Sequence, residues 1–337
     1  MMRPIGTRQS EHTRRRLLTY GLLAACVLST AALAHLPAAA ADFPDRTVKI
    51  VVNFPPGGPL DIIARLLAAR MTVTLKQSVA VENVSGAAGN IGAAQVARAA
   101  PDGYTVLLTL DTPFTLTPAL NPTGSVNAAD FRPVGLGGTT GSILAVHPSL
   151  GVDSLQALIA KGRSQMLTFS TAGNGSPGHF GALMLADAAG IKVNPIHYRG
   201  NAPAVLSLVS GEVQAGVLGA GGLLPQIKAG KVKALAVAGS SRSSLLPDLP
   251  TAAELGHSGL QLEFMFVAMV PAATPDTVVE ILQKSIADAV AQSDYQERMQ
   301  SLDIVRSPLA GPAITARMAE MRTRYAAIVK QTGMRNE

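Results

Sequence analysis

Three glycine-rich turns hold the residues of this sequence that are best suited to chemistry. They span residues 54–61, 83–90 and 170–179, and a helix is predicted to follow each of them. The first turn of a helix presents backbone N–H groups that lack intrahelical acceptors, at the positive end of the helix dipole. Such a place binds carboxylate or phosphate without a cationic side chain, and glycine lets the backbone approach the ligand closely. The three turns together predict an anion-binding site, although each alone also fits an ordinary strand-to-helix turn, with Asp61 in a structural role.

Patterns for catalysis and metal binding are weaker. Residues 86–92 lack the glycine spacing of the dinucleotide fingerprint, and Asn174 stands where a G-x-S-x-G nucleophile motif around Ser176 needs glycine. Pro177 follows this serine, so we interpret Ser176 as a helix N-cap. Beyond residue 41 the histidines are widely spaced and no cysteine occurs, which predicts neither a metal nor a cofactor; they are His147, His179, His197 and His257. A hydrolase that uses Ser176 and His179 stays an alternative to a binding protein.

The N-terminus has the pattern of an export signal. Three arginines at 14–16 precede an apolar run over residues 17–36, and alanines fill 38–41. A basic region, an apolar region and a small-residue cleavage site define a secretory signal peptide, here residues 1–41. The arginines also fit the twin-arginine route, and Cys26 allows a lipoprotein alternative. We expect cleavage near Ala41 and a periplasmic protein.

Removal of this signal changes the charge and the cysteine count. The full chain of 337 residues carries a net charge of +6 and one cysteine. Five arginines and one glutamate lie in residues 1–41, which leaves 23 basic and 21 acidic residues and a net charge of +2. This near-neutral balance, without a basic stripe interleaved with aromatics, excludes a nucleic-acid-binding class. The mature chain has no cysteine for a disulfide.

The elements that position the three turns alternate between strand and helix. Continuous apolar runs such as residues 48–54 are typical of strands buried on both faces, and the alternation predicts an α/β fold with parallel sheets. Ligands bind beyond the carboxyl ends of such strands, where the glycine turns lie. Strands are predicted at 48–54, 78–81, 104–110, 133–136, 142–147, 167–170, 193–196, 215–218 and 262–270, with a loop between the third and fourth. Helices are predicted at 60–75 and 155–163, after the turn at 85–89 to about residue 99, and from residues 177, 202, 223, 275, 295 and 312.

Nine short motifs, in order, resemble those of one protein family. They are residues 54–61, 81–92, 100–104, 130–134, 170–176 with His179, 197–200, 211–214, 249–254 and 271–275. This series is similar to that of the substrate-binding proteins of tripartite tricarboxylate transporters, the Bug family. The resemblance covers essentially the whole mature chain.

The resemblance implies a two-lobed periplasmic binding protein fold, type II-like, in which each lobe is a mostly parallel sheet flanked by helices. Lobe 1 would combine residues 42–142 with 263–337, and lobe 2 would be residues 143–262. It further implies a monomeric receptor that captures a small carboxylate for transporter membrane subunits; a sensing subunit of a signalling system is the alternative. The ligand-binding residues carried over by motif are Phe54, Pro56, Gly57, Gly58, Ser85, Ala88 and Asn90 in lobe 1, with Thr171, Gly175, Ser176, His179 and Tyr198 in lobe 2.

This sequence departs from the family pattern at apolar positions. Leu60 stands where the first motif usually has a threonine, and Leu218 and Gly219 stand where the family often has Asp and Asn. A tryptophan common before the C-terminal strand is absent, with Phe264 and Phe266 nearby. These departures predict a pocket less polar than that of a di- or tricarboxylate binder.

Overall fold

The computed structural model describes residues 43–120, 126–307 and 309–332. The chain divides into two compact units, Met1–Asp45 and Arg46–Glu337, and the strands and helices described lie in the second. Residues 1–41, including Cys26, lie outside the described residues, so the export signal stays a prediction.

The strands and helices of the second unit follow one another mostly in alternation. The strands are β1 Val48–Val52, β2 Val79–Asn83, β3 Thr105–Leu110, β4 Phe131–Val146, β5 Leu167–Thr171, β6 Val193–His197, β7 Ala215–Gly219, β8 Lys233–Ala238 and β9 Glu263–Pro271. The helices are α1 Pro59–Leu75, α2 Asn90–Ala97, α3 Thr112–Thr115, α4 Thr117–Leu120, α5 Leu155–Ser164, α6 Pro177–Ala189, α7 Asn201–Ser210, α8 Ala220–Lys228, α9 Asp276–Val290, α10 Ser293–Ser301 and α11 Pro312–Thr332.

Two sheets share the long strand β4. In the first sheet, β1 pairs in parallel with β2 and β3, and β9 lies antiparallel between β3 and β4. In the second, β5 pairs in parallel with β6 and β7, while β7 and β8 lie antiparallel to β4. Strand β4 pairs with β9 through Gly141 and with β7 and β8 from Ser142. The chain therefore passes from one sheet to the other between two adjacent residues.

Apolar strands and helix faces build the core beneath these sheets. Four of the five residues of β1 are buried, as expected for a parallel strand covered on both faces. Helix α1 packs beside it with Ile63, Leu67 and Met71 on its buried face, at helical spacing. Full burial of one such side chain contributes about 1.5–3 kcal/mol to folding. The glycine turn before α1 is thus held between two well-packed elements.

Some elements differ from the sequence predictions. The prediction of two strands at 133–136 and 142–147 is wrong: β4 is continuous, because its glycines are accommodated by irregular pairing with β9 after Pro133 and Leu136. Strand β8 was missed, since its alanines favour strands weakly. The predicted loop after β3 contains the short helices α3 and α4, and α8 begins at Ala220 rather than Leu223.

Within residues 43–120, 126–307 and 309–332, no helix combines the length and apolar character needed to cross a bilayer.

Candidate functional site

Four helix N-termini border one cavity of about 120 Å³. Residues 58–60 line it at the start of α1, 177–178 at α6, 200–203 at α7 and 219–221 at α8. The described helices that contribute are nine to seventeen residues long, so each has a developed dipole whose positive end faces the cavity region. Backbone N–H groups and dipoles arranged in this way favour an anionic ligand.

The first turn is shaped by the Asp61 carboxylate. This residue is 5 % exposed, and its side chain accepts hydrogen bonds from the backbone N of Gly57 (3.1 Å) and from Asn83 Nδ2 (3.1 Å). Arg65 also donates to it (3.0 Å). Burial alone would raise the pKa of Asp61, but the hydrogen bonds from Arg65, Gly57 and Asn83 lower it below its ordinary value. Asp61 thus has a structural role, and the Gly57 N–H is already used within the turn.

The second turn is locked against the end of β1 by Asn53. This buried side chain donates from Nδ2 to the carbonyl of Gly89 (2.9 Å) and to Thr109 Oγ1 (2.9 Å). Gly89 has φ +93°, and a Cβ at this position would lie 2.4 Å from Asn53 Nδ2 and 3.1 Å from Phe54 Cε2. Only glycine fits this left-handed conformation at so short a distance. The turn is therefore held in one conformation beside Phe54.

The third turn is held by Ser176 and His179. The Ser176 hydroxyl caps α6 by accepting from the backbone N of His179 (3.3 Å), which confirms the N-cap interpretation. His179 Nδ1 accepts from the backbone N of Gly175 (3.1 Å), and its ring contacts that of His197 edge to face at 4.7 Å. Burial, then the neighbouring His197, lowers the pKa of His179 to about 4, so this imidazole is neutral at neutral pH. The hydrogen bonds described here support the turn rather than join Ser176 and His179 as nucleophile and base.

The predicted site residues fall into three groups. Phe54, Pro56 and Gly58 line the cavity. Six others lie within two residues of its lining: Gly57, Thr171, Gly175, Ser176, His179 and Tyr198. Ser85 and Asn90 lie on the second turn; Ala88 lies in the 3₁₀ turn Ala87–Gly89, and its side chain is outside the described residues. Direct contact of these residues with a ligand stays a prediction.

Two lining residues were missed from the sequence, Arg199 and Asn201. Arg199 is exposed, is the one charged side chain in the lining, and forms no ion pair within the described part of the chain. Asn201 Oδ1 accepts from the backbone N of Gly219 (3.0 Å) and so connects the N-termini of α7 and α8. Both follow Tyr198 closely, but their role depends on helices that meet only in the folded chain.

Apolar side chains from both sheets complete the cavity. Phe264 and Phe266 on β9 and Leu218 on β7 line it, as does Leu60 at the start of α1. These are the apolar departures noted in the sequence. Among the described residues, no group of three or more histidine, cysteine or acidic side chains is arranged to hold a metal ion.

Most of this chain matches one known protein family. Residues 63–334 match the family described as "Tripartite tricarboxylate transporter family receptor". The chain belongs to this family. The recognition made from the nine motifs is confirmed, and the family is one of receptors rather than enzymes.

Relatives and solved structures agree with this assignment. The chain is 33 % identical to Protein BugT of Bordetella pertussis over 310 residues, which cover 91 % of this chain and 95 % of BugT. The periplasmic binding protein BugD has a similar structure, with a TM-score of 0.80 and 34 % identity over 88 % of this chain and all of BugD. MatC from Rhodopseudomonas palustris, solved with bound malate, has a TM-score of 0.79 and 30 % identity over 85 % of this chain and all of MatC. The predicted two-lobed periplasmic binding protein fold is confirmed.

Proposed function

We propose that this protein is a periplasmic receptor that captures a small carboxylate in a cleft between its lobes and delivers it to the membrane subunits of a tripartite transporter. This proposal rests on the convergence of four helix N-termini and the unpaired Arg199 on one cavity. Together they favour a bound anion. The chain's family, and the malate bound by its relative MatC, support a carboxylate as that anion. Export would depend on residues 1–41.

Ligand capture would occur by closure of the two lobes. We place the lobe boundaries at residues 142 and 262, so that lobe 1 contains 42–142 and 263–337 and lobe 2 contains 143–262. The change of sheet between Gly141 and Ser142, and the start of β9 at Glu263, support this division. A ligand that contacts both lobes favours the closed state, and the closed state presents a docking surface to the transporter.

The first and third turns would give the ligand its backbone donors, and Asn83 of the second turn would support the first by its hydrogen bonds to Phe54 and Asp61. Free N–H groups at the start of α1 and α6 are the proposed donors, with the twelve residues carried over by motif forming or supporting these turns. The hydrogen bonds made by Asp61, Asn53 and Ser176 support this role, because each holds one turn in a fixed conformation before ligand arrives. A preorganised site binds without the entropic cost of ordering its loops.

Thermal unfolding of the protein, purified after expression of the full chain, tests anion binding. The ligands are mono-, di- and tricarboxylates and amino acids, each compared with its amide or with sodium chloride at equal ionic strength. At a hundredfold excess over Kd, a specific ligand adds about 2.7 kcal/mol to the free energy of unfolding. Absence of a stabilising effect from every carboxylate in the series would refute the proposal.

Uptake by cells separates transport from sensing. A strain that lacks this gene should lose accumulation of the radiolabelled ligand and regain it when the gene is restored. Unchanged accumulation, with loss only of a transcriptional or motility response to the ligand, would instead identify a sensing subunit.

A further inference from the structure

The apolar wall of the cavity is continuous between the two sheets. On the first sheet, Leu110 of β3 stands directly opposite Phe266 of β9, and both line the cavity. Phe264 lies two residues along the same strand, and Leu218 on β7 lines the cavity from the second sheet. Phe264, Phe266 and Leu218 are each no more than 3 % exposed, so they present a fixed surface. Transfer of a ligand body from water to this wall is favourable only if that body is apolar.

The charged and polar groups of the lining match a single anionic group. Arg199 supplies one positive charge, and the lining contains no lysine, histidine, aspartate or glutamate among the described residues. The polar side chains that accompany it are Thr140, Ser142 and Asn201. A second carboxylate placed against the apolar wall of Leu218, Phe264 and Phe266 would lose its hydration and find no cationic side chain there, and an uncompensated buried charge is strongly unfavourable.

The volume of the cavity limits the size of the ligand. A cavity of about 120 Å³ is somewhat smaller than the apolar cavity of roughly 150 Å³ that binds benzene in an engineered protein. One six-membered ring or a short branched chain is therefore the upper limit for a ligand body enclosed by the cavity. Longer bodies would have to extend through the open side of the cavity.

We infer that the ligand of this receptor is a monocarboxylate with a compact apolar body of about the size of a benzene ring. Its carboxylate binds at Arg199 and the surrounding helix N-termini, and its body packs against Leu218, Phe264 and Phe266. This inference rests on the proposed receptor function and narrows the ligand class. Arg199 gives the site its selectivity for a negatively charged ligand, and the apolar wall gives it selectivity for a ligand with an apolar body.

Isothermal titration calorimetry with a matched panel tests the ligand class. The panel contains benzoate, cyclohexanecarboxylate and 3-methylbutanoate, with malate, adipate and citrate as polyanions, and with benzamide as the uncharged counterpart of benzoate. We expect at least one of the three monocarboxylates to bind tenfold or more tightly than every polyanion, with a negative heat-capacity change from apolar burial. Benzamide should bind at least tenfold more weakly than benzoate.

The outcomes separate this inference from the receptor proposal. Tighter binding of malate, adipate or citrate than of all three monocarboxylates overturns the inference and leaves a carboxylate receptor. Failure of every anion in the panel to bind overturns the inference and counts against the receptor proposal as well.

Substitution of Arg199 tests the charge assignment. Arg199→Gln should weaken the tightest monocarboxylate at least tenfold and remove most of the salt dependence of binding, while leaving benzamide unaffected. Arg163→Gln is the matched control, because Arg163 is an exposed arginine of the second sheet's helices that does not line the cavity. Equal affinity of the Arg199→Gln variant and the unchanged protein would overturn the assignment.

Substitution of Leu60 tests the apolar wall without disturbing a strand. Leu60→Thr at the start of α1 replaces a lining leucine by a smaller residue with a hydroxyl. The affinity for the monocarboxylate should fall about threefold or more relative to malate, and circular dichroism reports whether the variant is folded. A folded variant with an unchanged affinity ratio would refute the contribution of this side chain to selectivity.

Discussion

The Asp111 carboxylate lies at the end of β3 with no exposure to solvent. Its Oδ1 accepts from the backbone N of Met265 (2.9 Å) and its Oδ2 accepts from Thr115 Oγ1 (3.0 Å), so it joins β9 to the end of α3. Burial raises the pKa of Asp111 from 3.8 to about 6, although these hydrogen bonds and the charge of Arg317 favour ionisation. Tyr325 also faces this group, and its own pKa is raised by burial and by the charge of Asp111.

The sign of the effect follows from the raised pKa. The native state binds the proton of Asp111 more tightly than the unfolded chain does, so the free energy of unfolding falls as the pH rises from 3.8 towards about 6. At about 1.4 kcal/mol for each pKa unit, the full loss is about 3 kcal/mol. Between about pH 4 and about pH 7.5, we expect roughly 2–3 kcal/mol of this loss.

Urea unfolding of the unchanged protein and of Asp111→Asn at these two pH values measures the effect. As the pH rises, the free energy of unfolding of the variant should increase by roughly 2–3 kcal/mol relative to that of the unchanged protein. The altered hydrogen bond to Thr115 changes the variant's free energy of unfolding equally at both pH values, so its effect cancels in the comparison. Asp187→Asn, at an exposed position on α6, makes the same chemical change without burial. A stability difference that is the same at both pH values would refute the reasoning.

Two further substitutions address the turns around the cavity. Asp61→Ala removes the acceptor of Gly57 N and one of the two acceptors of Asn83 Nδ2, so the free energy of unfolding should fall by about 1–3 kcal/mol and the ligand should bind more weakly in calorimetry. Unchanged stability and affinity would show that the turn does not need this carboxylate. Gly178→Ala would place a Cβ 2.2 Å from the carbonyl oxygen of Val217, so urea unfolding should show a loss of several kcal/mol in the free energy of unfolding. Gly259→Ala, with no atom within 4 Å of the added Cβ, should show no such loss. Equal stability of the two glycine variants would contradict the close packing of α6 on β7.

Local patterns predicted the elements whose residues carry strong signals. Strand β1 was predicted to within two residues and helix α1 to within one, because a continuous apolar run and a helical apolar repeat are both decisive there. Strand β8 was missed, since alternating alanines are compatible with helix or strand and only pairing with β4 decides between them. The continuity of β4 likewise depends on a partner, β9, that lies more than a hundred residues later in the sequence.

The site was predicted in part for the same reason. Glycine turns before helices are visible in the sequence, and so were the apolar substitutions at Leu60 and Leu218, which both line the cavity. Arg199 lies within the motif at residues 197–200, but its residue type alone does not separate it from a solvated surface arginine. Its proposed role depends on the meeting of α1, α6, α7 and α8 around the cavity, which is a property of the tertiary structure.

Strand β4 has a consequence for how the molecule loses its structure. Residues 131–141 of this strand complete one sheet and residues 142–146 complete the other, with no loop between them. At this junction a Cβ on Gly141 would lie 3.3 Å from the Cα of Gly239, so a second chain segment passes alongside. Release of β4 from one sheet should therefore strain the hydrogen-bond ladder of the other. We expect the two halves of the protein to unfold as one cooperative unit, and a cut after residue 141 not to yield two independent domains.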